Sequence, residues 1–247
     1  MSREVVMHFY VESFSARTTT TARADSWMQW SRTRLLPPDE TPPVCAVPPL
    51  LRRRLTPLGR LALGALAELT PKPNEPMIFA SSWGDIARSF SLMETLARDN
   101  EISPTHFSAS VHNGIGAVAS IWQGNTTAYK AICAEEFTTE SALLEAWLML
   151  GAGHESVVLV RYEDVMPEAW YHDGLTDTPT STFAWAVRLT REQPPRSLCR
   201  FTLTASQSSC DAVRAPSRYR LEDLAFLLSD APEFVHSDDQ RAWIWRK

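Results

Sequence analysis

The apolar positions of this chain fall into short blocks whose spacing switches between the two-residue repeat of strands and the three-to-four-residue repeat of helices. Residues 5–11 (VVMHFYV) form an apolar block that predicts a first, central strand. Residues 13–34 are polar and Thr-rich and carry Trp27 and Trp30. Residues 36–49 are rich in proline and read as an ordered, extended loop. Thr56 and Pro57 then open a helix, as N-cap and first helical residue, that runs through Leu61, Leu63, Leu66 and Leu69. Residues 76–80 (PMIFA) predict a second strand, and 85–98 a helix with Ile86, Phe90, Leu92, Met93 and Leu96 turned inward.

Residues 103–164 carry the densest pattern, read as helix, strand, helix, strand. Gly114, Gly116, Ala117 and Ala119 let a second backbone approach closely, so the small-residue run 110–120 predicts a tightly packed helix. Residues 129–133 are a short buried strand. Thr138 caps a helix with Leu143, Leu144, Trp147, Leu148 and Leu150 on its apolar face, ended by Gly151 and Gly153. Residues 157–160 are continuously apolar, as in a parallel strand covered on both faces. Farther on, 182–188 and 198–204 alternate as two strands of an antiparallel hairpin across Pro194 and Pro195. A short helix at 221–228 and an edge strand at 242–245 close the chain.

The segment 103–164, together with RRRLTPLGRLAL (52–63) and FASSWGDIARSFSLMETLA (79–97), resembles the nucleophile region of the β-ketoacyl synthases, a thiolase-like family. Within it the likeness is to a short branch of synthase-like N-terminal domains, some of them chain-length-factor subunits of aryl polyene type II polyketide synthases. Members of the branch carry a similar Trp-bearing insertion after the first strand. The resemblance covers roughly 52–164, under half the chain. It implies an α/β fold: a thiolase-like half, with a five-stranded mixed sheet flanked by helices, truncated relative to a full ketosynthase. It also implies one domain over 1–247, with the core over 1–205 and a terminal helix and edge strand over 206–247.

Laid on Asn113, Gly124, Gly153 and Asp164 without insertion, the family pattern puts Glu136 where the nucleophilic Cys stands. Condensation of acyl thioesters begins with acyl transfer to a thiolate, and an ionised carboxylate only accepts hydrogen bonds. Cys133 lies three positions too early. The family's pair of C-terminal His is also missing, because His172 and His236 lack its Gly-rich setting. The resemblance therefore implies a non-catalytic subunit, a pseudo-ketosynthase, that forms a heterodimer with a ketosynthase and sets product length. In the family's dimers the strand before the nucleophile pairs across the two-fold axis. Here Tyr129, Lys130, Ala131, Ile132 and Cys133 take that place, and Thr105, His106, Phe107 and Ser110 become the gate of the partner's acyl tunnel. Arg52, Arg53, Arg54 and Arg60 are a basic cluster suited either to solvent or to transient docking of an acidic acyl carrier protein.

Composition narrows the alternatives. A net charge of −5 disfavours a sequence-independent nucleic-acid binder. The cysteines at 45, 133, 199 and 210 have no metal or disulfide spacing, and no apolar run is long enough to span a membrane, so we expect a cytoplasmic protein with neither metal nor cofactor. His112 and Cys133 lack a third, orienting group for a dyad. Glu135 and Glu136, adjacent in sequence, point apart and cannot flank one scissile bond, so Glu136 reads as a polar residue filling the former pocket. Gly114-x-Gly116-x-x-Ala119, followed by Glu135, imitates a dinucleotide fingerprint but follows a polar segment. Two other functions stay open: a weak malonyl-carrier-protein decarboxylase or acyltransferase of the same fold, and a nucleotide-binding regulator.

Overall fold

The computed structural model describes residues 5–36, 38–39, 46–168, 181–206, 221–238 and 240–247. His172, Cys45 and Cys210 lie outside them. The elements are β1 (Val6–Thr18), α1 (Ala24–Thr33), α2 (Pro49–Arg52), α3 (Pro57–Glu68), β2 (Met77–Ala80), α4 (Ile86–Asp99), α5 (Pro104–Ser108), α6 (Gly114–Gln123), β3 (Tyr129–Ile132), α7 (Thr138–Gly151), β4 (Val157–Glu163), β5 (Phe183–Thr190), β6 (Cys199–Ser206), α8 (Glu222–Leu228), β7 (Glu233–Ser237) and β8 (Ala242–Arg246). The described strands form one mixed sheet of eight, ordered β3-β2-β4-β5-β1-β6-β8-β7, rather than five. β3, β2 and β4 are parallel, and every other pairing is antiparallel.

Helices cover both faces of the sheet where β2, β4 and β5 lie. Alternate residues of β4 divide between them: Val157 and Leu159 join Leu143, Ala146 and Leu150 of α7, while Val158, Val160 and Tyr162 join Leu58, Ala62 and Leu66 of α3. All seven β4 residues are buried, which accounts for the unbroken apolar run seen in the sequence. Thr56 caps α3 as expected, its hydroxyl accepting from the Gly59 N–H at 3.4 Å, with Pro57 in the first turn.

Several expectations are corrected. β1 runs thirteen residues, well past Val11, because Ser15, Ala16, Arg17 and Thr18 are buried beside β5, with Ser15 and Arg17 both bonding Glu68. The supposed hairpin does not exist: β5 and β6 both pair with β1, which lies between them. β8 is not an edge, since β7, which the apolar pattern did not reveal, covers it. α4 buries only Ile86, leaving Met93 and Leu96 about half exposed, because few of the described elements pack on it. In α7 it is Ala142, Ala146 and Met149 that accompany Leu143 and Leu150 inward, while Leu144 and Leu148 face out.

The small residues of α6 serve helix-to-sheet packing. A β-carbon on Gly116 would stand 2.8 Å from Tyr129 Cδ2 and 2.9 Å from Phe79 Cδ2, two rings that meet edge to face. Gly116→Ala should therefore destabilise the chain by about 1–3 kcal/mol through overpacking. The check is the urea midpoint, with Gly124→Ala as the contrasting case of left-handed backbone in open space.

Candidate functional site

The turn between β3 and α7 sits at one end of the parallel strands, beside the β2–α4 loop. Ile132 closes β3 and its carbonyl accepts from the Ser81 N–H at 3.1 Å. Cys133 follows, exposed rather than buried within the strand, with its Sγ 3.2 Å from the Ser82 carbonyl oxygen. Glu135 has a left-handed backbone, φ 47°, which reverses the chain sharply without glycine. Residues Glu135–Phe137 form one 3-10 turn before α7 starts. Phe137 occupies the N-cap position, so Thr138 is not the cap; its hydroxyl donates to the Glu135 carbonyl at 2.8 Å and accepts from the Ala134 N–H at 3.1 Å, bracing the turn.

Glu136 is exposed and so fills no pocket within this chain. His112 does not meet Cys133: its Nε2 lies 2.9 Å from the Ser81 carbonyl oxygen. Gly116, half of the apparent dinucleotide fingerprint, is packed under two aromatic rings.

Behind the turn lies a polar cluster that the linear pattern did not reveal. Arg161 and Glu163 of β4, 2% and 0% exposed, form an ion pair, and Glu163 also accepts from the Ser82 N–H and, at 3.1 Å, from the Ser81 hydroxyl. Arg161 Nε donates to Thr139 Oγ1 at 3.3 Å, and the Thr139 hydroxyl donates to Asp223 of α8 at 2.7 Å. Beside it, Glu140 (1% exposed) accepts from Trp245 Nε1 at 3.3 Å and stands 2.8 Å from Nδ1 of His236. Burial works against a charge on His236, but Glu140, Asp223 and Glu136 outweigh it and raise the imidazole above its ordinary range. Burial likewise raises Asp223, against Arg161 and its own hydrogen bonds. The signal available in the sequence was the pair of acids in the first turns of α7 and α8, but nothing local links them to His236.

The outer edge of β3 carries no strand among the described residues. Lys130 and Ile132 face β2 in the ladder, so Tyr129 and Ala131 turn their backbone groups to that open edge. α6 and α7 both pack on β3, and they leave Ile121 (61%), Leu144 (38%) and Leu148 (52%) exposed on their outer surfaces. Lys130 reaches Glu145 of α7 at 2.7 Å. The four gate residues are brought together at α5: Thr105, His106 and Phe107 are exposed, and the Ser110 hydroxyl bonds the Phe107 carbonyl at 2.8 Å. His106 also lines a groove of about 330 Å³ with Thr56, Arg88, Leu92 and Thr95 of the α3 and α4 side. Arg53, Arg54 and Arg60 are exposed and Arg52 half-buried around α2 and the start of α3, and Arg88 donates to the Arg54 carbonyl at 2.8 Å.

Among the described residues no group of three or more His, Cys, Asp or Glu is placed to hold a metal ion, and no helix is long and apolar enough to cross a membrane.

A mixed sheet between helical layers, with a strained turn leading from a parallel strand into a long helix, is the thiolase-like fold of ketosynthases. The chain belongs to the β-ketoacyl synthase N-terminal domain family, whose model matches residues 27–246. It is similar, at 26% identity and a TM-score of 0.81, to a chain of the ketosynthase ApeO in complex with its chain length factor ApeC from Xenorhabdus doucetiae, covering 98% of this chain and 100% of that one. More distant likenesses show the fold alone. The ishigamide ketosynthase/chain length factor is 11% identical, with a TM-score of 0.64 over 82% of this chain and 68% of that one. A type II polyketide ketosynthase in complex with its acyl carrier protein is 12% identical, with a TM-score of 0.60 over 82% of this chain and 69% of that one. No curated protein matches the chain.

Proposed function

We propose that this chain is a catalytically silent, chain-length-factor-like subunit that pairs with a ketosynthase and shapes its acyl tunnel in a polyketide or fatty-acid-like system, with aryl polyene synthesis as the specific setting. The observation that carries the reading is the outer edge of β3, which no described strand covers, and the two helices packed on β3, α6 and α7, also carry exposed apolar side chains. Unpaired strand edges are hazardous unless covered, and a homologous subunit presenting the same edge would satisfy the outward backbone groups of Tyr129 and Ala131. A likeness that extends over nearly the whole chain to one member of a ketosynthase–chain length factor complex supports the same partner.

The absence of condensing activity is argued from chemistry. Glu136 in the β3–α7 turn holds no acyl group as a thioester, and its charge repels a malonyl carboxylate. One domain over 1–247 is supported by the sheet itself, in which β8 and β7 extend β6 without a break. The arginines at 52, 53, 54 and 60 are assigned to transient carrier-protein docking, and the cytoplasm is the expected compartment. Co-expression with ketosynthases followed by size-exclusion chromatography tests the pairing. A stable 1:1 complex is expected, and a chain that stays monomeric beside every ketosynthase offered would refute it.

Phe107, 59% exposed on α5, is the residue we assign to the end of the partner's tunnel. Phe107→Ala should leave the stability of the isolated chain within about 0.5 kcal/mol, because the ring buries little here. In the complex it should lengthen the product or broaden its distribution, read by mass spectrometry. An unchanged product would remove Phe107 from the gate.

A further inference from the structure

His236 lies on β7, far in sequence from the nucleophile turn, yet with Trp245 of β8 it ties the C-terminal strands to the start of α7. Its side chain is 13% exposed, and it contacts elements on several sides. From the first turn of α7, Glu140 approaches Nδ1 at 2.8 Å. From the 3-10 turn, the Phe137 ring meets the imidazole edge-on at 5.0 Å, and from β7 itself Phe234 stacks at 6.2 Å.

The charged groups facing it are Glu140 of α7, Glu136 of the turn and Asp223 of α8. Arg161 of β4 is joined to Asp223 through Thr139, and Arg241, between β7 and β8, covers the Phe137 ring at 4.8 Å. The acids closest to His236 outnumber the cations. Glu140 has a particular need of the imidazolium. Both Trp245 Nε1 and His236 Nδ1 converge on Oε1, while Oε2 is buried without a hydrogen-bond partner among the described residues. A carboxylate so enclosed is costly to bury without a positive neighbour.

We propose that His236 is a proton-controlled latch: protonated, it clamps β7 onto α7 through Glu140, and on losing its Nε2 proton to solvent it loosens the turn that joins β3 to α7. The neutral ring still donates from Nδ1, so the clamp weakens without every contact breaking. The turn lies directly after the open edge of β3, so proton uptake at one end of the chain stiffens the approach to that edge. The inference concerns the chain by itself and does not depend on the identity of any partner.

The direction of the effect follows from linkage. The folded-state pKa of His236 is raised above the ordinary value of about 6.5, so the folded state binds more protons than the unfolded one above that pH. The latch contributes fully below about pH 6.5 and is lost as pH rises through the raised value. The carboxyl of Asp223 is raised too, which gives a loss of stability in the same sense but starting from the acid side, so the two must be separated.

Thermal unfolding of the full chain from pH 6 to 9 supplies the test, with H236Q, E140Q and D223N as variants. The wild-type melting temperature should fall by about 3–5 °C per pH unit across the stretch between the unfolded and folded pKa values. H236Q should lack that slope, E140Q should reduce it, and D223N should keep it. A wild-type slope retained in H236Q, or one that vanishes in D223N alone, would overturn the proposal. Should H236Q fail to fold, an NMR titration of the imidazole in the wild-type chain decides: a midpoint above the ordinary histidine value supports the latch, and one at or below it refutes the latch.

Discussion

Replacing Ala131 by proline is expected to weaken association with a ketosynthase by about 5- to 150-fold while leaving the isolated chain folded. The prediction follows from strand alternation. Ile132 uses its carbonyl on the Ser81 N–H, so Ala131 points its own N–H to the open edge and makes no bond within the described sheet. Proline deletes that donor and leaves a carbonyl of the incoming strand unpaired, a loss of about 1–3 kcal/mol for a buried backbone group. Lys130→Pro is the contrasting variant. Lys130 lies opposite Ile78 with its backbone turned to β2, so the same change there should damage the fold itself. Circular dichroism separates the two cases, and isothermal titration with the ketosynthase measures the first. Ala131→Pro binding as tightly as the parent chain would mean that β3 is not the contact strand.

The second large effect lies inside the molecule. Arg161→Leu removes the cation beside Glu163, which is wholly buried and would keep only the Ser81 and Ser82 donors. Breaking a buried pair on one side costs about 3–5 kcal/mol, which for a chain of this size lowers the melting temperature by about 6–20 °C. Replacing both members, Arg161→Leu with Glu163→Leu, should recover much of the loss, because no isolated charge then remains. A single variant that melts with the parent would show that this ion pair does not hold the cluster together. Because Arg161 also leads through Thr139 to Asp223, the single variant should loosen α8 as well, visible as faster hydrogen exchange there.

The parts of the fold that were legible in the sequence are those where local chemistry and tertiary context agree. Thr56 and Pro57 could hardly be read other than as a helix start, since the hydroxyl and the fixed proline φ act within one turn. The apolar run of β4 is readable because both faces are covered, so no polar residue interrupts it. β1 was read too short because Ser15, Arg17 and Thr18 are buried against β5, the first two paired with Glu68, and polarity alone suggests solvent. The faces of α4 and α7 were misread for the opposite reason. Met93, Leu96, Leu144 and Leu148 are apolar yet exposed, so their pattern reports a surface that the chain alone does not cover. The site divides in the same way. Glu136 and the strand before it are contiguous and visible, whereas the polar cluster draws Arg161, Glu140, Asp223 and His236 from four elements, which no linear spacing can signal.

By itself the amino-acid sequence determined the helix-strand-helix-strand succession from α6 to β4, though not the separate helix α5, as well as the family and the carboxylate at Glu136, because each is written in neighbouring residues and short-range sterics. Only the tertiary structure decided that β1 separates β5 from β6, that β3 ends the described sheet with no strand on its outer edge, and that His236 closes on Glu140. Those outcomes depend on pairings between segments distant in sequence, where hydrogen-bond alternation and buried charge act across space and leave no periodic trace along the chain.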